Sequence, residues 1–147
     1  MTETIAMILA AKGNEIFAIP PDSNVFEAIA LMAEKRIGAV LVMSGPALLG
    51  IVSERDYARK VILQGRSSKE TKVSEIMTCS VVTVEAADTV EDCMRIMTQR
   101  RIRHLPVLES GQLVGLVSIG DLVKALISSQ AFTIQQLESF IAGKYPV

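Results

Sequence analysis

Ser53 and Asp56 stand three residues apart in GIVSERD, and Ser118 and Asp121 stand three apart in GLVSIGD, 65 positions further along the chain. Each serine closes an apolar run, and each acid falls one turn into the next segment. Two chemistries fit this spacing. A serine ending a strand and a carboxylate three positions on make a capping pair, which satisfies N–H groups that the first turn of a helix leaves unbonded. The same geometry suits a phosphate, because a helix N-terminus presents free N–H groups and partial positive charge. The carboxylate can then accept from both vicinal hydroxyls of a ribose, as the acid does in dinucleotide folds. Charge-assisted bonds of that kind contribute roughly 1.5–3 kcal/mol each. Gly50 and Gly115, three positions before the serines, favour the second chemistry, since a cap needs no glycine there.

The other candidates weigh less. Arg55 lies between Ser53 and Asp56, where the second copy has Gly120. Arg100 and Arg101 read as a solvated helix end, and Arg103 follows them into a strand, where it is expected to contact ligand. His104 has no nearby nucleophile and no second histidine, so it is not read as a general base. Glu54 and Asp56 diverge as neighbours at i and i+2 and make no acid/base dyad. With one His and no Cys-x-x-Cys, no structural zinc site is expected. Cys79 and Cys93 read as reduced intracellular thiols.

A duplication must position these residues. Sliding the sequence by 65 aligns Ile16–Leu63 with Val81–Ser128 without a gap. The identical pairs are Val25/Val90, Met32/Met97, Arg36/Arg101, Ile37/Ile102, Val42/Val107, Leu48/Leu113, Gly50/Gly115, Val52/Val117, Ser53/Ser118, Asp56/Asp121 and Ile62/Ile127. Two copies point to a closed pair rather than a solenoid, each unit being too small to bury its apolar face alone.

Each copy reads β-α-β-β-α. A β-branched strand opens it (Ile16–Ile19; Val81–Val84). A helix follows with apolar residues at helical spacing, Val25, Ile29 and Met32 or Val90, Met94 and Met97, with Ser23 and Asp88 as expected caps. Two strands joined by a turn come next, then a second helix near Ser53–Leu63 and Ser118–Ser128. The domain reading is a helix and lead-in over residues 1–15, repeat 1 over 16–63, a polar connector over 64–80, repeat 2 over 81–128 and a C-terminal segment over 129–147. Thr4–Lys12 is an expected helix stopped by Gly13. Phe132–Ala142 is another, opened by a capping box of Thr133 and Gln136.

Composition narrows the class. The chain has 147 residues, half of them apolar, few aromatic and no Trp, which suits a compact aliphatic core and argues against disorder. Lys and Arg number 15 against 16 Asp and Glu, so no global electrostatic case for nucleic acid exists. The most membrane-like stretch, Ile37–Val52, would span only about 24 Å as a helix against the roughly 30 Å of a bilayer core. Ser44-Gly45-Pro46 at its middle reads as a turn, so a hairpin explains it better. The expectation is a soluble, cytoplasmic protein with no membrane association.

The doubled β-α-β-β-α order, the Gly-apolar-Val-Ser-x-x-Asp ending, and RHLPVL after a first helix resemble the CBS domain, which occurs in tandem pairs called Bateman modules. SERDYARK and KVSEIMT also resemble family phrases at their usual places. The resemblance spans roughly Ile16 to Ile127. It implies an α/β fold of the α+β type, with two CBS repeats packed as a pseudo-two-fold pair and extra terminal helices. It further implies that the acids matching Asp56 and Asp121 hold the ribose of adenosine compounds, the serines face the phosphate side, and each cleft is built across the pair. One set would combine Ser53, Arg55 and Asp56 with Thr83, Arg103, His104, Leu105 and Pro106. The other would combine Ser118 and Asp121 with Ile19, Gly38, Ala39 and Val40. Arg55, Arg103 and His104 make the Asp56 set the one expected to favour phosphorylated ligands. Gly38, Ala39 and Gly120 leave the other set poorer in cations.

The function implied is regulatory: a stand-alone CBS pair, not an enzyme and needing no cofactor, that binds AMP, ATP or NAD and signals to an unidentified protein effector. The resemblance also implies a homodimer, four CBS units in a flat disc. Two rivals stand beside it, a structural dimerisation module with empty clefts and an S-adenosylmethionine-binding pair.

Overall fold

The computed structural model of the chain describes residues 3–128 and residue 141. The expected helix over residues 132–142 therefore lies outside the described residues except at Ile141. Among the described residues the elements are α1 (Ile5–Lys12), β1 (Ala18–Ile19), α2 (Val25–Lys35), β2 (Ala39–Ser44), β3 (Ala47–Ser53), α3 (Glu54–Tyr57), β4 (Val84–Glu85), α4 (Val90–Arg100), β5 (His104–Glu109), β6 (Gln112–Ser118) and α5 (Ile119–Ser128). The fold is mixed α/β, and the expected β-α-β-β-α order occurs twice.

Both copies build the same three-stranded sheet. β1 pairs in parallel with β2, which pairs antiparallel with β3, and β4, β5 and β6 repeat the order. The parallel pair requires a crossover, and α2 or α4 supplies it. The antiparallel pair needs only a two-residue turn, closed between Ser44 and Ala47 and between Glu109 and Gln112. Gly45, Ser110 and Gly111 take the positive φ such turns demand. The apolar run Ile37–Val52 is thus a hairpin whose Val40, Leu41, Val42 and Val52 are fully buried.

The helix starts differ from the sequence expectation by one residue. Asn24, not Ser23, caps α2 by accepting from the Glu27 N–H at 2.8 Å, and Thr89, not Asp88, caps α4 by accepting from the Asp92 N–H at 3.1 Å. Ser23 instead accepts a backbone bond from Val73, and the Asp88 carboxylate takes the Glu85 N–H. Both helices end on an arginine in the left-handed region, Arg36 and Arg101, each at φ 56°. The N–H of each bonds back to Met32 or Met97, so this identical pair of the duplication is a helix C-cap. The second helix of repeat 1 is also not the single helix expected over Ser53–Leu63. Four α-helical residues give way to a π-helical turn over Ala58–Ile62, whereas α5 runs ten residues.

The chain divides into two compact units. Ile16–Val81 forms one unit, and Met1–Glu15 groups with the chain from Val82 onward. In the first, the connector is structural. Val73 and Ile76 are buried in the core with Val25, Met32, Val40 and Val52. Thr71 is buried too, its hydroxyl donating to the Ser67 carbonyl at 2.7 Å. Reciprocal backbone bonds between Ile51 and Thr78 tie the segment to β3. In the second unit α1 takes that role. Its sequence, IAMILAAK, is apolar nearly all round, and Ile5, Ile8 and Leu9 pack into the core of repeat 2 beside Val90, Met97, Leu105 and Leu122. Backbone bonds from Ile5 to Asp88, Ala6 to Ala86 and Val90 to Glu3 fix it there.

Candidate functional site

The two serine–aspartate pairs sit where a strand passes directly into a helix. Ser53 is the last residue of β3 and the N-cap of α3. Its hydroxyl accepts from the Asp56 N–H at 3.1 Å, while Asp56 Oδ2 accepts from the Ser53 N–H at 3.0 Å and from its hydroxyl at 3.1 Å. Lys60 Nζ lies 3.1 Å from Asp56 Oδ1 and donates to the Ile76 carbonyl at 2.9 Å. The Glu54 N–H is taken by the Gly38 carbonyl at 3.0 Å.

Repeat 2 has the same frame. Asp121 Oδ2 accepts from the Ser118 N–H at 2.8 Å, the Ser118 hydroxyl accepts from the Asp121 N–H at 3.2 Å, and the Ile119 N–H goes to the Arg103 carbonyl at 2.9 Å. The cation is different. Lys12, in the last turn of α1, places Nζ 2.7 Å from Asp121 Oδ2 and 2.9 Å from the Leu116 carbonyl. Burial, the largest influence on Asp121, opposes its ionisation. The bonds from Lys12 and the Ser118 backbone outweigh that burial and hold the carboxyl below its usual value.

His104 stands opposite Ser118 in the β5–β6 register. Its burial, aided by Arg103 and Lys12 and opposed by Asp121, lowers its pKa to about 4. At neutral pH it is an uncharged hydrogen-bonding group. Arg103, His104, Ser118, Asp121 and Lys12 thus form one polar locus within the second unit. Ala39 stands opposite Ser53 in the same way, and Gly38 precedes it. Thr83 is exposed just before β4. The side chains of Ile19 and Val40 belong to the core of the first unit and that of Leu105 to the second, and Ala39 and Pro106 are buried as well. These five can offer a ligand backbone groups. Arg55 is half-buried on α3.

Two sequence readings change here. A β-carbon on Gly50 would meet Met77 Sδ at 2.8 Å and the Thr78 carbonyl at 2.9 Å, and one on Gly115 would meet both terminal methyls of Leu9 at 2.8 Å. The duplicated glycine is therefore explained by packing, and it no longer favours ligand chemistry over capping. Lys12 was not among the expected site residues, because it lies outside the repeat. A lysine closing a helix before a glycine reads as a complement to the helix dipole. A cavity of about 340 Å³ in the first unit, lined by Ile29, Met32, Ala33, Arg36, Ile37, Gly38 and Glu54, shares only Gly38 with the expected set.

The model of the CBS domain matches this chain twice, over residues 13–62 and 73–128. The chain belongs to the CBS domain family. CBS domain-containing protein CBSX3, mitochondrial, of Arabidopsis thaliana is 39% identical over 97% of this chain and 73% of its own length. CBS domain-containing protein YhcV of Bacillus subtilis is 32% identical over 80% of this chain and 83% of its own. Among solved structures, a putative signal-transduction protein with CBS domains from Burkholderia ambifaria is 56% identical, with a TM-score of 0.84 over 89% of this chain and 98% of that one. The tandem CBS reading and the fold class are thereby established. CBS-domain proteins are generally regulatory. No helix among the described residues is long and apolar enough to cross a membrane, and no group of three or more His, Cys, Asp or Glu there could hold a metal ion.

Proposed function

We propose that this CBS pair is a regulatory module that binds adenosine nucleotides of the AMP, ATP or NAD class, with Asp56 and Asp121 accepting the ribose hydroxyls. The observation that carries the reading is the doubled arrangement at the strand–helix junctions. In both CBS domains an acid is held by the backbone and hydroxyl of the serine three residues before it, beside a lysine ammonium. A carboxylate fixed in this way is preorganised, so a ligand need not order it. The remaining expected contacts (Arg55, Thr83, Arg103, His104, Gly38 and the strand backbones) belong to the same proposal.

Signalling would work by population shift. A nucleotide favours whichever arrangement of the module it binds better, by no more than the difference in affinity, and an effector protein reads the result. A homodimer is part of the proposal. Ile62 and Ile127, an identical pair of the duplication, are 56% and 66% exposed, and Leu63 beside the first is 75% exposed. Apolar side chains at matching helix ends suit self-association. A cytoplasmic setting is also proposed, on composition alone.

One observation favours a second reading. Both acids already complete capping boxes, so a purely structural module would use the same bonds. Thermal unfolding with AMP, ADP, ATP, NAD and S-adenosylmethionine separates the two. A ligand at about a hundred times its dissociation constant adds roughly 2.7 kcal/mol, which for a chain of this size raises Tm by several degrees. A rise with adenine nucleotides supports sensing. No rise with any of them, in protein shown by mass spectrometry to carry no nucleotide, supports the structural module.

A further inference from the structure

Lys12 closes α1 with its ammonium on two acceptors, the Asp121 carboxylate and the Leu116 carbonyl. A lysine ammonium has three donors, so among the described residues one is left over. The pair is reachable from solvent, with 37% of the Lys12 side chain and 24% of the Asp121 side chain exposed. Such a pair is weakly held, and an incoming ligand can share it. The backbone that carries Lys12 is not loose. Ile5, Ile8 and Leu9 are buried in the core of the second CBS domain, and Leu9 fills the space Gly115 leaves open. The lysine is therefore delivered to a set place.

The first CBS domain is built otherwise. Lys60, on the same helical segment as Asp56, occupies the oxygen of Asp56 that Ser53 does not use. At Asp121, the Lys12 ammonium and the Ser118 N–H share Oδ2. The Asp121 locus thus keeps an ammonium from a separate helix beside a carboxylate that solvent reaches. His104 is uncharged at neutral pH and cannot serve as the cation there.

We propose that Lys12 is a specificity-determining residue of the Asp121 locus, contacting the phosphate of a nucleotide whose ribose Asp121 accepts. This rests on the nucleotide reading above and adds to it. It also departs from the expectation that this locus is the cation-poor one, because Arg103 stands in the same locus and Lys12 arrives from a helix outside the repeat.

The test is a site-resolved titration of the full chain, following the Gly120 and Asp121 amide resonances as AMP or adenosine is added. Lys12→Met keeps the apolar stem, and the same spectra report whether the fold is intact. AMP affinity at these amides should fall about tenfold or more, the scale of one charge-assisted bond. Adenosine affinity should stay within about threefold, because it has no phosphate to lose. Lys12→Arg should restore most of the AMP affinity. Equal losses for AMP and adenosine would make Lys12 a support for Asp121 only, and no loss for either would remove it from the site. Should neither compound move these amides in the unsubstituted chain, the nucleotide reading at Asp121 falls, and this proposal with it.

Discussion

Leu9 occupies the place a side chain on Gly115 would take, its two terminal methyls 2.8 Å from where a β-carbon would stand. The matching glycine, Gly50, faces Met77 and the Thr78 carbonyl. One close approach is to the tips of a side chain, the other partly to backbone. Gly50→Ala should therefore cost more stability than Gly115→Ala. Overpacking typically costs about 1–3 kcal/mol, with Gly50→Ala expected toward the upper end. Urea unfolding of the two variants ranks them, and the reverse order would contradict the packing account.

The serine caps give a second pair to compare. Ser53→Ala and Ser118→Ala should each lose about 1 kcal/mol, the usual worth of an N-cap. The two losses should be similar, because each hydroxyl accepts from the N–H of its aspartate and also bonds that aspartate's carboxylate. Denaturant midpoints at constant slope measure both losses.

His104 predicts how stability depends on pH. Its folded pKa of about 4 lies below the ordinary 6.5, so the folded state favours the neutral ring. Its contribution is complete above pH 6.5. As pH falls from 6.5 toward 4 the unfolded chain takes up the proton first and stability drops, then levels once both states are protonated. Asp121, whose carboxyl is held below 3.8, contributes stability that is lost only at lower pH still, as the pH falls through its folded value. The chain has a single histidine. Its imidazole resonance should therefore stay neutral down to about pH 4, and His104→Gln should flatten the loss between 6.5 and 4. A resonance titrating near 6.5 would contradict the burial.

What the sequence made legible was whatever repeats or alternates locally. The first hairpin followed from an apolar run interrupted by Ser44-Gly45-Pro46, the second from its repetition of the first, and the duplication from pairs such as Ser53/Ser118. The caps were misplaced by one residue because Ser23 and Asn24 are both good N-cap types, and long-range backbone bonds such as Val73 to Ser23 and Val25 to Thr71 fix where the helix starts. The connector read as a polar link because Val73 and Ile76 lie among charged residues, yet both complete a core. Lys12 was invisible for the same reason: nothing near it in sequence points to a carboxylate 109 positions away.

The two cysteines should behave differently. Cys93 is fully buried, and that burial, with Asp88 and Asp92 nearby, pushes its thiol up to about 12, whereas Cys79 is exposed. A thiol reagent should label one site per chain in native protein and both after denaturation, since the thiolate is the reactive form. Rapid native labelling of Cys93 would contradict its place in the core.

The most direct test of the nucleotide reading is calorimetric titration of AMP into the nucleotide-free chain and into Asp56→Asn and Asp121→Asn, each first shown to be folded. Binding heat in the parent protein, with one class of sites lost in each variant and the other kept, is the predicted result. Folded protein that takes up no AMP, or variants that lose stability while binding AMP as the parent does, would leave the two acids as helix caps and contradict the account.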